Sequence, residues 1–126
     1  MGQAQIGIDI IEIGRIRESI SRWGTRFLNR IYTQSELELC KGNIESLAAR
    51  FAGKEAAMKA LDSGQDTIVW RDIEILNEEN GKPKLILHGK ALQVLDSLGL
   101  KQLEISLSHS RDNAIALVIG IREPLG

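Results

Sequence analysis

The first third of the chain begins with an isoleucine-rich segment and continues with segments whose apolar residues recur at the helical period. These patterns predict its secondary structure. Residues 5–13 are rich in isoleucine and predict a strand. Helical spacing follows over residues 14–29, with an interruption near Gly24. Thr33 and Glu36 stand three positions apart in a capping-box pattern, which predicts that a short helix begins there.

The second half combines one longer helix with two hairpins. Apolar side chains recur at the helical period over residues 44–61, which predicts a helix with one apolar stripe. Asn80-Gly81 is a strong signal for a hairpin turn. The remaining predicted elements are strands at 72–76, 83–87, 103–108 and 114–120 and a short helix at 91–98. This order predicts an α+β domain with a largely antiparallel sheet packed against a long helix.

Composition limits the classes of function that need to be considered. A chain of 126 residues fits one domain, 1–126, and 43% hydrophobic with 26% charged residues is ordinary for a soluble globular protein. The net charge of -1 indicates no general attraction to nucleic acid or anionic membranes. One cysteine allows no internal disulfide, and neither a signal peptide nor a membrane span is visible. We therefore expect a cytoplasmic protein.

Charge is nevertheless concentrated in one segment. Residues 15–30 contain five arginines and a single acid, Glu18. Such a segment is either a solvated face or a binding surface for an acidic partner, and charge alone does not decide between the two. The arginines are Arg15, Arg17, Arg22, Arg26 and Arg30.

Two carboxylates stand in unexpectedly apolar settings. Asp9 lies inside an isoleucine-rich strand, where aspartate is rare, so it either binds a cation or caps the following helix. Glu55 lies at the edge of the apolar stripe of the long helix, with Lys59 four residues later. Glu55 is thus either a functional group or one half of a surface ion pair. Two carboxylates without a cysteine cluster favour a hard cation such as Mg²⁺, which takes its other ligands from water and phosphates.

A histidine at the end of a predicted strand is the third candidate. His109 follows Ser108 and precedes Ser110 and Arg111, and this group of donors could hold a phosphate. A lone histidine can equally be structural. The chain contains neither a Walker loop nor a GxGxxG motif, so a phosphate site here is not of a common glycine-loop type.

Four blocks of the sequence resemble one known family. They are GIDIIEIGRI at 7–16, RFAGKEAAMKAL at 50–61, NGKP at 80–83 and SLSHS at 106–110. These blocks are similar, in the same order, to motifs of the holo-[acyl-carrier-protein] synthases, the small trimeric class of 4'-phosphopantetheinyl transferases. The resemblance covers nearly the whole chain. It implies the fold of that family and a homotrimer whose active sites lie between subunits.

The resemblance also implies roles for the unusual residues. Asp9 and Glu55 would be the Mg²⁺ ligands, and Lys59 would neutralise charge near the pyrophosphate of coenzyme A. Arg50 and Lys54 would lie close to the coenzyme A phosphates. The neighbouring subunit would hold the nucleotide end of coenzyme A through Asn80, Gly81, Lys82, Pro83, Ser108 and His109.

The implied activity gives the arginine-rich segment a partner. Arg15, Arg22 and Arg26 resemble the family's docking helix for acyl carrier protein, which is acidic around its target serine. The chain would transfer the phosphopantetheine group of coenzyme A to that serine, with fatty acid biosynthesis as the default pathway. Glu55 would take the serine proton, directly or through a metal-bound water. Two alternatives stay open: a magnesium-dependent phosphohydrolase of nucleotides or coenzyme A, and a non-catalytic module that binds carrier proteins.

Overall fold

A computed structural model describes residues 5–62 and 68–122. The ten regular elements of this part follow in the order β1 (Ile6–Glu12), α1 (Ile13–Trp23), α2 (Thr25–Ile31), α3 (Gln34–Cys40), α4 (Ile44–Leu61), β2 (Ile73–Asn77), β3 (Pro83–Leu87), α5 (Gly89–Ser97), β4 (Leu100–His109) and β5 (Asn113–Arg122). A short 3-10 turn, Trp70–Asp72, precedes β2. None of the helices in the described part is long and apolar enough to cross a bilayer.

The strands form two antiparallel sheets. One has three strands in the order β1-β5-β4, and the other is the β2-β3 hairpin. Helix α4 contacts β1, β5, β4 and β2, so it lies against both sheets. The α+β class with antiparallel pairing is as the sequence predicted. Both predicted hairpins and the break near Gly24 are also present.

Helix α4 is buried on most of its circumference, which differs from the single apolar stripe that the spacing predicted. Alanines on several sides of the helix have no exposed surface. The cause is that the sheets cover one side while α1, α3 and α5 contact the others. Small side chains allow this close approach from every direction. The fully buried alanines are Ala48, Ala52, Ala56 and Ala57.

Strand β1 touches α4 backbone to backbone at Gly7. A Cβ atom at this position would overlap the carbonyl oxygen of Ala56 and would lie 2.8 Å from the amide nitrogen of Ala60. Only glycine therefore permits this separation of strand and helix. Asp9, two residues further on, has the same facing as Gly7 and is brought alongside the helix.

A buried carboxylate joins α3 to its neighbours. Glu36 has no exposed surface, and its Oε1 accepts hydrogen bonds from the Thr33 amide and from Lys54 Nζ, both at 2.8 Å. Its Oε2 accepts from the amide of Ile75 on β2 at 2.7 Å. The Thr33 hydroxyl accepts from the Glu36 amide, which completes the predicted capping box. One side chain thus fixes α3, α4 and β2 relative to one another.

We expect Gly7→Ala to lower the free energy of unfolding by about 3 kcal/mol or more, because the added methyl group meets backbone that cannot rotate away. Gly14→Ala is the matched control. A Cβ at Gly14 meets nothing within 4 Å, so that variant should be unchanged or stabilised by up to about 1 kcal/mol. Urea denaturation of both variants measures the difference, and equal stabilities would contradict the close approach.

Candidate active site

Two carboxylates and a lysine meet where β1 crosses α4. Lys59 Nζ lies 3.0 Å from Asp9 Oδ1 and donates a second hydrogen bond to the Ile8 carbonyl at 3.1 Å. Glu55 is one helical turn before Lys59, so both project from the same face of α4. The structure therefore brings together the three residues that the sequence predicted to act together, although 46 residues separate Asp9 from Glu55.

The electrostatics of this cluster favour a bound cation. Burial raises the pKa of the Glu55 carboxyl, the negative charge of Asp9 raises it further, and the Lys59 ammonium partly opposes both. Within the described residues, Glu55 forms no hydrogen bond or ion pair, whereas Asp9 is paired with Lys59. A second positive charge between the carboxylates would relieve this repulsion.

The donor set fits a hard divalent cation. The part of the chain that the structure describes contains no group of three or more histidine, cysteine or acidic side chains able to hold a metal. Two carboxylates are nevertheless a sufficient protein contribution for Mg²⁺, which keeps several waters and binds substrate phosphates. Asp9 and Glu55 would hold such an ion. The fit rests on the types of ligand and on their mutual repulsion.

A second group of residues surrounds a pocket of about 520 Å³. Arg50 of α4 and His109 at the end of β4 are its charged or titratable donors, and the turn between β2 and β3 adds Gly81 and Pro83. Arg50 is only 6% exposed. Within the described residues it forms no ion pair with a carboxylate. Glu45 also lines the pocket, so the unpaired guanidinium offers its positive charge to an anion beside one carboxylate.

The structure contradicts the role that was predicted for Lys54. Lys54 has no exposed surface and donates to Glu36 Oε1, to the Trp70 carbonyl at 3.2 Å and to the Ile73 carbonyl. Burial lowers the pKa of Lys54, and Glu36 opposes that shift. All three ammonium hydrogens have acceptors inside the protein. The expectation that Lys54 lies close to coenzyme A phosphates is therefore wrong for this structure.

The serine and the histidine of the last block lie on opposite faces of β4. Successive residues of a strand alternate, so His109 lines the pocket while Ser108 is exposed on the other face, paired with Ile115. In the β2-β3 turn, Asn80 Oδ1 accepts from the Lys82 amide at 3.0 Å. Asn80 and Lys82 thus shape the turn, and the pocket lining includes neither of them.

The carboxylate cluster and the pocket lie on different sides of α4. Arg50 and Glu55 are five residues apart, so at roughly 100° per residue they point about 140° apart around the helix. A substrate that contacts both sites therefore either passes around α4 or binds between two copies of the chain.

The predicted docking arginines are all exposed. Arg15 is 3.9 Å from Glu12 in a pair whose members are both exposed, and such pairs are weak. Grooves on α1 and α2 place Trp23, which is 54% exposed, beside Arg22 and Arg26. The Arg22 guanidinium carbon lies 6.0 Å from the centre of the Trp23 ring. The surface therefore combines positive charge with an exposed aromatic side chain.

Sequence reasoning missed two features of the site region. Asn77, the last residue of β2, accepts a hydrogen bond from Arg50, and no motif marked it. The outer face of β1 and β5 in the three-stranded sheet is apolar and exposed, although the alternation of isoleucines in β1 could have revealed it. The exposed apolar residues of this outer sheet face are Ile6, Ile8, Ile10, Ile115, Leu117 and Ile119.

Known proteins are similar to this chain in sequence and fold. The family model of the 4'-phosphopantetheinyl transferase superfamily matches residues 5–118. A holo-[acyl-carrier-protein] synthase of Herpetosiphon aurantiacus is 48% identical over 122 residues, covering 91% of this chain and 96% of the relative. One of Dehalococcoides mccartyi is 52% identical over 113 residues, covering 90% and 94%.

Solved structures agree with these relatives. The holo-[acyl-carrier-protein] synthase of Helicobacter pylori in complex with coenzyme A superposes with a TM-score of 0.82 at 36% identity, covering 91% of this chain and 98% of that one. The enzyme of Neisseria meningitidis gives a TM-score of 0.83 at 33% identity, covering 94% and 98%. With the matched motifs and the clustered Asp9, Glu55 and Lys59, these likenesses show that the chain belongs to the holo-[acyl-carrier-protein] synthase family of the 4'-phosphopantetheinyl transferase superfamily.

Proposed function

We propose that this chain transfers the 4'-phosphopantetheine group of coenzyme A to a serine of apo acyl carrier protein and releases 3',5'-ADP. The observation that carries the proposal is the cluster of Asp9, Glu55 and Lys59, because a member of this family needs converging charges at the pyrophosphate. The relatives are named for this activity, and the Helicobacter pylori protein binds coenzyme A. We expect the reaction in the cytoplasm.

In phosphoryl transfer, the protein contributes mainly by positioning the reactants and by stabilising the charge of the transition state. The serine oxygen forms a bond to the β-phosphorus of coenzyme A, and the bond from that phosphorus to the oxygen bridging to the α-phosphate breaks. Mg²⁺ held by Asp9 and Glu55 would supply positive charge to the phosphate oxygens. Lys59 stabilises the charge that develops on the leaving group. Glu55 accepts the serine proton directly or through a water molecule.

The pocket at Arg50 suits a phosphate of the nucleotide end of coenzyme A. Its buried guanidinium and His109 are donors, and Gly81 and Pro83 bring the β2-β3 turn to the same place. Because this pocket and the carboxylate cluster point about 140° apart around α4, one coenzyme A would bind between two copies of the chain. The arrangement supports active sites at subunit interfaces, with Ser108 exposed at the edge of the outer sheet face.

The exposed apolar residues of the outer sheet face form a surface that copies of the chain could bury against one another. Ile8 and Ile10 are 59% and 60% exposed, and Leu117 of β5 lies directly opposite Ile8. A contiguous apolar face of this kind is typical of an interface between proteins. We propose that three copies associate through it as a homotrimer.

The arginine surface fits an acidic carrier protein. Arg15, Arg22 and Arg26 project from α1 and α2 and face solvent, with Trp23 among them. Complementary charge would orient the carrier and speed its association, while Trp23 would add apolar contact. No observation favours the phosphohydrolase or the non-catalytic module. Hydrolysis of coenzyme A without a carrier would point to the former.

We expect Asp9→Asn and Glu55→Gln each to lower the rate of transfer by at least about a hundredfold, since each removes a charged ligand and the second also removes the proton acceptor. Intact mass spectrometry of apo acyl carrier protein, incubated with coenzyme A and Mg²⁺, measures the added phosphopantetheine. Glu38→Gln, at an exposed carboxylate of α3, is the control and should transfer normally. Full activity in either site variant, or undiminished activity with excess chelator, would refute the assignment.

We expect Arg15→Glu to raise the KM for the carrier about tenfold and to leave the KM for coenzyme A nearly unchanged, because reversed charge repels an acidic partner. Arg71→Glu, which changes an exposed arginine outside α1 and α2, is the control. Steady-state kinetics with each substrate varied in turn separates the two constants. Equal increases in both would contradict a docking role.

We expect Leu117→Lys to convert a trimer into monomers and to abolish transfer, because it places a charge in the buried interface and separates the two halves of each site. Leu92→Lys, at an exposed leucine of α5 outside the sheet, is the control and should stay trimeric. Light scattering after size-exclusion chromatography measures the mass. A monomeric unmodified protein, or a fully active monomeric variant, would overturn the shared site.

A further inference from the structure

Every acceptor that holds Arg50 within residues 5–62 and 68–122 is electrically neutral. Its Nε donates to the Ile75 carbonyl at 2.9 Å, Nη1 to the Ser46 carbonyl at 3.4 Å, and Nη2 to Asn77 Oδ1 at 3.1 Å. A guanidinium has five N–H donors, so one on each terminal nitrogen has no acceptor among the described residues. Buried arginines are usually paired with a carboxylate, and this one is fixed in place without such a partner in the described part of the chain.

The side-chain acceptor among the three belongs to Asn77. Asn77 is the last residue of β2, pairs with Pro83 across the hairpin, and lines the pocket together with Arg50. Its carboxamide thus connects α4 to the turn that supplies Gly81 and Pro83. The contact sets both the direction of the guanidinium and the position of the turn around the pocket.

We propose that Asn77 is a positioning residue that aims the Arg50 guanidinium into the pocket through an uncharged oxygen and so leaves its full positive charge for a phosphate of coenzyme A. The proposal rests on the function proposed above. An aspartate in the same place would orient the guanidinium equally well, but it would neutralise the charge and repel the phosphate. Glu45 already lines the pocket, so a second carboxylate at residue 77, hydrogen-bonded directly to the guanidinium, would further weaken the attraction of the pocket for an anion.

Asn77→Asp separates this role from a merely structural one. The substitution is isosteric and keeps an oxygen for Arg50 to bind, at a residue that is itself exposed, so the melting temperature should be unchanged or higher. We expect the Kd for coenzyme A, measured by calorimetry on the full chain, to rise about tenfold or more. The KM for coenzyme A should rise with it, while kcat at saturating coenzyme A stays near that of the unmodified protein.

Ionic strength provides a second readout. Attraction between an uncompensated guanidinium and a phosphate weakens as salt is added, so the Kd of the unmodified protein should rise with salt concentration. In Asn77→Asp that dependence should be shallower. Gln93→Glu, which adds the same charge at an exposed position of α5, is the control and should bind as the unmodified protein does.

The outcomes distinguish this proposal from the proposed function. If the unmodified protein does not bind coenzyme A, the proposed function fails. If it binds and Asn77→Asp binds with the same Kd and salt dependence, the positioning role of Asn77 is overturned. Should the aspartate variant fail to fold, Asn77→Ala provides the test, since losing the acceptor should raise the Kd several-fold, and an unchanged Kd would refute the proposal.

Discussion

The contact between the backbones of β1 and α4 determines the rest of the site. The backbone of Gly7 contacts the backbone of Ala56 and Ala60 without an intervening side chain, which fixes the distance between the strand and the helix. Asp9 has the same facing two residues later and therefore lies against the turn of α4 that carries Glu55 and Lys59. Any residue larger than glycine would separate the carboxylates and weaken the mutual repulsion that favours a cation.

Adjacent motif residues serve different purposes. Lys54 is buried and neutralised by Glu36, whereas Glu55, the next residue, is partly exposed beside Asp9. Neighbours on a helix point about 100° apart, so one enters the core while the other reaches the site. A buried pair of this kind adds little net stability, but removing one partner is costly. We interpret Lys54 as the residue that fixes the rotation of α4 and thereby the direction of Glu55.

Local features of the sequence predicted the fold well, and distant contacts explain what it missed. The capping box at Thr33 and the turn at Asn80-Gly81 each depend on residues that are close together in sequence, so the sequence predicted them. The burial of α4 on most sides depends on which elements surround it, which periodicity does not encode. Lys54 matched its motif as well as Glu55 did, and only the position of Glu36 reveals its structural role. Asn77 carries no motif because its significance comes entirely from Arg50, 27 residues away in sequence.

Strand β1 links assembly to chemistry. Its inward residues include Gly7 and Asp9, and its outward residues include Ile8 and Ile10, so both faces of one strand contribute to the proposed enzyme. A separated chain would keep the Asp9 cluster and the Arg50 pocket, yet these point about 140° apart around α4. Burying the outer face against other copies would bring the cluster of one chain towards the pocket of the next. In the proposed trimer, the apolar face would therefore complete the active site as well as stabilise the assembly.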